Sequence, residues 1–373
     1  MNARVPAKGW CPGAWRPMAS GDGLIVRVRP TLGRLSAAQV AGLCQAAADC
    51  GSGMLELTSR ANLQLRGIRK DAHEDLLARL WQLGLIDADQ RTEARRNLIV
   101  APLWQAGDAT ERAAAEFSAR LAELPALPAK FGFAFDAGAF PVLGATSADI
   151  RLERGISGGL IVRADGCSHG APVTPDSAVA AMIRLAHWFA ETAGEAGRMV
   201  RHLALGPVEG TEAPARSAAL PVPGVTALGP AYGVAFGQIE AHELARLVNG
   251  SAAQALRITP SRVVILEGGI AIPDEAFIAE AGNPLLSIDA CPGAPLCPSA
   301  SVATRNLARR LAARMTGLHV SGCAKGCARA KPAPITLVGR EGRFDLVRNG
   351  AAWDAPERTG LTPADVLGLF GAQ

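Results

Sequence analysis

One pattern in this chain is written twice, and the copies stand about two hundred residues apart. The first copy opens with GLIVRVR at 23–29, where apolar and basic residues alternate as in a strand with one wet face. Ser36 then opens a helix, with Gln39 three residues on as a capping box. Val40, Leu43, Cys44, Ala47 and Ala48 share one helical face, and Gly51 ends the run. A second strand is expected over 54–68, MLELTSRANLQLRGI, and a helix over 71–84 with Leu76, Leu77, Leu80 and Leu83 inward. In the second copy GVAFGQI at 233–239 is the strand, a helix through Leu244, Leu247 and Val248 ends at Gly250, and ALRITPSRVVILEGGI spans 255–270. Ser59 and Arg60 line up with Ser261 and Arg262, and Gly67 and Ile68 with Gly269 and Ile270. A single long-period duplication predicts two similar halves, unlike the short repeats of a solenoid.

The regions after each copy also match. DIRLERGISGGLIVRADG at 149–166 resembles PITLVGREGRFDLVRNGA at 334–351; both read as hairpins, and both lead to a helix start, VTPD and LTPAD. FGFAFDAGA at 131–139 stands where LHVSGCAKGC stands at 318–327, and RRNLIVAPLWQA at 95–106 where SIDACPGAPLCPSA stands at 287–300. Cysteines occur at these places in the second copy only. The Ala- and Pro-rich stretches 100–128 and 207–228 read as a surface helix and a linker.

Four of the eight cysteines lie in that second copy: Cys291 and Cys297 with five residues between them, then Cys323 and Cys327 with three, all in Gly- and Pro-rich loops. Four thiolates in two loops can hold one iron–sulfur cluster, with Gly293, Gly322 and Gly326 letting backbone approach its core. Structural zinc is an alternative, although its cysteine pairs usually have two to four residues between them. Two disulfides need an oxidising compartment, and a chance gathering of core cysteines is the remaining reading. A helix over 301–316 would travel about 24 Å, and the return from 317 to 323 covers at most about 24 Å. The pairs therefore meet only if the helix turns back at Gly317, a natural left-handed stop.

The cysteine stretch resembles the cluster-binding signature of the siroheme-dependent nitrite and sulfite reductases, a C-x5-C pair followed by GCxxGCA and a strand ending in Leu337, Val338 and Gly339. The resemblance covers about 21–370 and implies an α+β fold with a duplicated nitrite/sulfite reductase-like architecture. Two ferredoxin-like half-domains pair into one unit, and two α/β domains follow them. The expected divisions are 1–90 for the first half-domain, 91–206 for an α/β domain without cluster, 207–228 for the linker, 229–282 for the second half-domain and 283–373 for the α/β domain with a 4Fe–4S cluster on Cys291, Cys297, Cys323 and Cys327. It also implies substrate-binding residues: Arg60 and Gln64 from a TxRxxxQ strand beginning at Thr58, Arg96 and Asn97 from an Arg-Asn pair, and Lys130 from a KFK-like segment whose second lysine is Gly132 here. From chemistry alone Arg60 could equally be a solvated surface residue, Arg96 a helix cap and Lys130 an ordinary surface lysine.

The opening, GWCPGAWRPMASGDGLIVRVRP at 9–30, is similar to the precorrin-3B synthase family of that superfamily. The resemblance implies O2-dependent monooxygenation of precorrin-3A to precorrin-3B, a hydroxylation with γ-lactone formation in aerobic cobalamin biosynthesis. A tetrapyrrole substrate, O2 and an external electron donor are then the partners, and a mononuclear non-haem iron is a further candidate cofactor whose ligands the sequence does not assign. Two other readings stay open: a siroheme-dependent nitrite or sulfite reductase, and a non-enzymatic cluster or zinc protein. Catalytic residues are not assigned.

Composition narrows the partners. Net charge is +4, which does not argue for nucleic acid, and no apolar run is long enough to span a membrane. The first fifteen residues hold no apolar signal core, so a cytoplasmic protein is expected. Of 38 basic residues 5 are Lys and 33 Arg; part of that excess reflects composition, and part suits carboxylate recognition. Cys44 and Cys50 read as core, Cys11 and Cys167 as unassigned, and the histidines as scattered, with His187 and His242 structural.

Overall fold

The computed structural model describes residues 11–202 and 210–372. The first half-domain runs β1 Met18–Ser20, β2 Gly23–Val28, β3 Arg34–Ser36, α1 Ala37–Cys50, β4 Met54–Leu57, β5 Leu63–Ile68 and α2 His73–Gln82. Ser36 caps α1 as the sequence predicts, with Gln39 closing the box. Val26, Val28, Leu55, Leu63 and Leu65 are buried on the face that meets the helices. The alternating residues Arg27, Glu56, Gln64 and Arg66 therefore fall on the other face.

A short helix, α3 Gln90–Arg95, leads into the first α/β unit: β6 Leu98–Val100, α4 Ala109–Ala119, β7 Phe133–Asp136, β8 Ile150–Arg154, β9 Leu160–Ala164, β10 Ala171–Val173 and α5 Pro175–Thr192, followed by α6 Met199–His202. β6, β7 and β8 are parallel; β9 and β10 continue the sheet antiparallel. Phe117, Phe133, Phe135 and Phe189 fill its core.

The second half-domain repeats the first: β11 Gly224–Thr226, β12 Gly229–Gly233, β13 Gln238–Glu240, α7 Ala241–Gly250, β14 Ala255–Ile258 and β15 Val263–Glu267. The last unit repeats the α/β unit, with β16 Asp289–Ala290, α8 Arg305–Ala312, β17 Leu318–Ser321, β18 Ala333–Arg340, β19 Arg343–Gly350, β20 Arg358–Leu361 and α9 Pro363–Leu369. Its strand order β16-β17-β18-β19-β20 matches β6-β7-β8-β9-β10 one for one.

The two half-domains exchange strands. β3 pairs with β14 of the second half, and β13 pairs with β4 of the first. Leu35 and Ile239, both buried, ride on these exchanged strands into a core that also holds Leu43, Leu76, Leu244 and Leu256. Neither five-stranded sheet is complete without the other copy, so the pair is one folding unit. Its outer faces, polar on the first sheet and partly apolar on the second, are left for the α/β units to cover.

Several sequence expectations change. The strand expected over 54–68 is a hairpin, β4 and β5, and 255–270 likewise splits into β14 and β15. The Thr58 hydroxyl accepts from the backbone N–H of Arg60 and Asn62, and Thr259 accepts from Ser261 and Val263. Ala61 and Arg262 take the left-handed position, at φ 53° and 61°. Turn geometry therefore pairs Arg60 with Ser261, one residue from the alignment read off the letters, and Gly67 with Gly268, at φ 63° and 71°. The strand expected over 233–239 is broken by left-handed Phe236; its counterpart in the first half, Leu32, falls after the strand expected over 23–29, which stands as β2. The helix expected over 301–316 is eight residues, Arg305–Ala312, so the return to the second cysteine pair has slack, and Gly317 does adopt φ 68°. Of the expected linker 207–228, residues 207–209 lie outside the described residues, Glu212 and Pro214 bridge to the first α/β unit, and β11 lies inside it.

Candidate functional site

The paired registers place the cysteine loops in the fold. Cys291 directly follows β16, and its N–H reaches the carbonyl of Val320 as that of Ala101 reaches Phe135 in the first copy. Ala101 is thus the metal-free counterpart of Cys291. The Cys291 sulfur is buried and accepts from the N–H of Gly322 at 3.1 Å. Cys297 and Cys323 are half-buried and Cys327 is exposed. Burial pushes the Cys291 thiol up, backbone N–H groups of Gly322 and Gly293 oppose that, and the nearby Cys297 and Cys323 push it further. Cys327 is raised by burial, then by Cys323, Cys291 and Cys297. Thiols that crowd one another's charge in this way are relieved by a bound cation.

Among the described residues, no three His, Cys, Asp or Glu side chains are gathered tightly enough for a single metal ion. Zinc would draw four sulfurs to about 2.3 Å from one point, whereas a four-iron cluster gives each sulfur its own iron and keeps the sulfurs apart. The four thiols fit the cluster better than zinc. No His and carboxylate set for a mononuclear iron is present among the described residues. His73, His169, His187 and His202 are bonded to Ala14, Ser168, Glu123 and Thr192, His242 stands beside Glu240, and His319 is alone within the sheet.

The glycines of these loops serve a purpose other than the one read from sequence. A Cβ on Gly322 would stand 2.5 Å from Ala300, one on Gly293 2.7 Å from the Thr304 hydroxyl, and one on Gly326 3.1 Å from Trp353. They let loop pack on loop, and Gly293 and Gly326 also hold φ near 70° and 61°.

The cysteine loop is tied to the first half-domain through one carbonyl. Leu296, next to Cys297, accepts from Gly21 N–H at 3.1 Å, the Ser20 hydroxyl at 2.7 Å and Arg66 Nη2 at 3.1 Å. Arg66 is only 3% exposed and is paired with Asp22 at 2.9 Å and Glu56 at 3.2 Å. Glu56 also meets Arg305 of α8 at 2.6 Å. Burial alone would raise the Glu56 carboxyl, but Arg305 and Arg66 outweigh it and hold it below the usual carboxylate range.

Arg27, Gln64, Glu56 and Gln238 form one row across four strands, each directly opposite the next. Arg27 donates to Gln64 Oε1 at 2.7 Å, and Gln64 Nε2 donates to Glu56 at 3.4 Å. The residues expected from the sequence divide around this row. Arg60, in the β4–β5 turn, donates to the carbonyl of Lys130 at 2.9 Å and, with Asn97 and Gly132, lines a shallow surface recess. Asn97 is buried and donates to Phe131. A Cβ on Gly132 would stand 3.0 Å from the Asn97 amide. Arg96 closes α3 and is paired with Glu93 at 2.9 Å and Asp87 at 3.5 Å. Cys44 and Cys50 are buried in the half-domain core, and Cys167 packs against the first α/β core.

The Nitrite/Sulfite reductase ferredoxin-like half domain family matches residues 16–83. A curated Precorrin-3B synthase from a Sinorhizobium species is 33% identical over 404 aligned positions, covering 94% of this chain and 84% of the relative. This chain belongs to the precorrin-3B synthase family. The structure of the Mycobacterium tuberculosis NirA protein has a similar fold, with TM-score 0.58 and 19% identity over 92% of this chain and 78% of that one. The family accounts for the paired half-domains and for the cysteine loops in the second copy. Sequence reading missed Arg27, Glu56, Arg66, Arg198 and Arg305. Arg27 was visible as a basic residue of the alternating GLIVRVR strand; the others have partners that only the fold brings near.

Proposed function

We propose that this protein is an O2-dependent monooxygenase that converts precorrin-3A to precorrin-3B. The likeness to a curated precorrin-3B synthase along 94% of the chain carries the reading. One atom of O2 enters the substrate as the hydroxyl, a neighbouring acetate closes the γ-lactone, and the second oxygen leaves as water after two electrons and two protons are supplied. Cys291, Cys297, Cys323 and Cys327 would hold a 4Fe–4S cluster, which when bound supplies single electrons.

The chain's own part is to bind and orient. Arg60, Gln64, Asn97 and Lys130 meet the carboxylates of the macrocycle, with Arg60 and Asn97 at a shallow surface recess. Arg96 acts one layer back, holding Glu93 and the loop before Asn97. Gly132, pressed on Asn97, leaves no room there for a second lysine without displacement. Electrons come from an external donor of acidic character. Between Asp289 and Glu341 the sequence has eight Arg or Lys and no Asp or Glu, and exposed Cys327 lies among them.

The test is anaerobic purification with iron, sulfide and chromophore counts, followed by turnover of precorrin-3A under labelled O2. Four irons, four sulfides and one labelled oxygen in the lactone product are expected. Siroheme in the purified protein, with reduction of nitrite or sulfite and no action on precorrin-3A, would replace this reading with that of a siroheme reductase; zinc without iron would make it a non-enzymatic metal protein.

A further inference from the structure

His319 is fully buried, and among the described residues neither of its ring nitrogens has a hydrogen-bond partner. A buried polar group left in this way is rare in a native fold and points to a partner that the chain does not supply. Burial disfavours its charged form, so the ring is neutral and has one N–H to donate. Its neighbours in β17, Leu318 and Val320, lie in the core with Leu307 and Leu311 of α8. His319 therefore projects from the opposite face of the sheet.

The polar groups that the sheet sets beside it are taken. Asp289, directly opposite on β16, is paired with Arg329 at 3.0 Å and Arg262 at 3.3 Å. Thr336, opposite on β18, donates to the Gly350 carbonyl at 2.8 Å. Ser321, two residues on in β17, donates to the Cys323 carbonyl at 2.7 Å. On that same face Cys291 follows Asp289 by two residues, and β17 runs on into the loop of Cys323 and Cys327. The first copy is an internal control. Its register pairs Ile99 with Ala134 where the second copy pairs Asp289 with His319, and Ala101 stands where Cys291 stands. Ile99 and Ala134 are buried in the half-domain core. The fold thus needs no polar side chain at this position, and it carries a histidine in the copy that has the cysteines.

We propose that His319 donates its ring N–H to a sulfur of the cluster held by the four cysteines and so raises the cluster's reduction potential. The proposal rests on the reading of these cysteines as 4Fe–4S ligands and adds a residue that tunes the cluster. An N–H aimed at sulfur stabilises the extra negative charge of the reduced form.

The test is a redox titration of the cluster-loaded protein, followed by the EPR signal of the reduced cluster. His319→Leu, which removes the donor and keeps an apolar bulk, should disfavour reduction about tenfold or more, a fall of about 59 mV or more for one electron. His319→Asn and His319→Gln place an amide N–H near one ring nitrogen or the other, and one of the two should restore part of that fall. His242→Gln, at an exposed position on α7, should leave the potential unchanged. Wild type grown with histidine labelled at its ring nitrogens gives a readout that needs no variant: pulsed EPR of the reduced cluster should show coupling to the labelled nitrogen. His319 is the histidine of the cysteine-bearing unit, and the other five lie before residue 283, so the coupling is assigned to it. Should His319→Leu fail to retain the cluster, the labelled wild type decides. Either an unchanged potential in iron-loaded His319→Leu or no coupling in labelled wild type would overturn the inference and leave the cluster reading standing. If anaerobically purified wild type holds no iron and sulfide, the cluster reading falls and the inference with it.

Discussion

Glu56→Gln tests how the half-domain is tied to the cysteine loop. Glu56 is 7% exposed and joins Arg66 of its own hairpin to Arg305 of the cysteine-bearing unit, at 3.2 and 2.6 Å. Without its charge Arg66 keeps Asp22, but Arg305 keeps only the Gln238 amide. Removing one partner of a buried ion pair typically costs about 3–5 kcal/mol, because a buried charge is left unmatched. With a urea slope of about 3 kcal/mol per molar, the unfolding midpoint should fall by roughly 1–1.5 M. The midpoint is read from cluster absorbance and tryptophan fluorescence of the loaded protein. The sign of the pH dependence is fixed by the lowered carboxyl pKa. The contribution of Glu56 is complete above its unfolded value of about 4.3 and fades as pH falls through the folded value. The gap between wild type and variant should therefore be full at pH 7 and shrink below about pH 4. Adding Arg305→Gln to Glu56→Gln should restore part of the loss, since a neutral pair leaves no unmatched charge. A gap under about 1 kcal/mol at pH 7, or one that does not change with pH, would refute the reasoning.

Replacing Cys291, Cys297, Cys323 or Cys327 by Ala should remove most cluster iron and sulfide, measured by metal and sulfide analysis, while Cys44→Ala, in the half-domain core, leaves both unchanged. Gly322→Ala should lower cluster occupancy without touching a ligand, because its new Cβ would meet Ala300 at 2.5 Å; full iron in that variant would show that the two loops can separate. Arg60→Ala should weaken precorrin-3A binding by roughly ten- to a hundredfold and keep the cluster spectrum. Buried, unpartnered His319 is pushed down to about 4 by desolvation. Stability present above its unfolded pKa of about 6.5 should therefore be lost as pH falls from there through 4, by about 3 kcal/mol in all, and His319→Leu should flatten that slope in urea midpoints taken from pH 7.5 to 4.5.

What the sequence disclosed depended on which physical constraint was local. The capping box at Ser36 and Gln39 and the helix starts at Thr174 and Thr362 are settled within a few residues and appear in the structure, whereas Gly317 takes its left-handed angle five residues after α8 has ended. The duplication was legible because its apolar spacing repeats. Its exact register was not, because the register is set by turns whose left-handed residues, Ala61 and Arg262, are neither glycine nor alike. The exchange of β3 and β13 left no local mark: each is three residues long, and its partner lies in the other copy. The surroundings of the site residues were hidden for the same reason. That Arg96 meets Glu93 and Asp87 is seen only in the fold.

The duplication also shows how equal halves came to differ. The diagonal pair on the first hairpin is Glu56 with Arg66; the equivalent pair on the second is Arg257 with Glu267, the same two positions with charges reversed. In the first half the arginine lies on β5 and its free edge reaches the Leu296 carbonyl beside Cys297. In the second half the arginine lies on β14, covered by the Trp104 ring at 3.5 Å, and Glu267 is spent on Arg34 of the exchanged strand at 2.9 Å. The neighbouring outer face of the second sheet is apolar, with Ala231, Val263 and Ile265 buried together. One pair thus points donors toward a cysteine loop and the other seals a packing face. The first outer face instead carries a polar row, Arg27 to Gln238, in which Arg27 donates to Gln64.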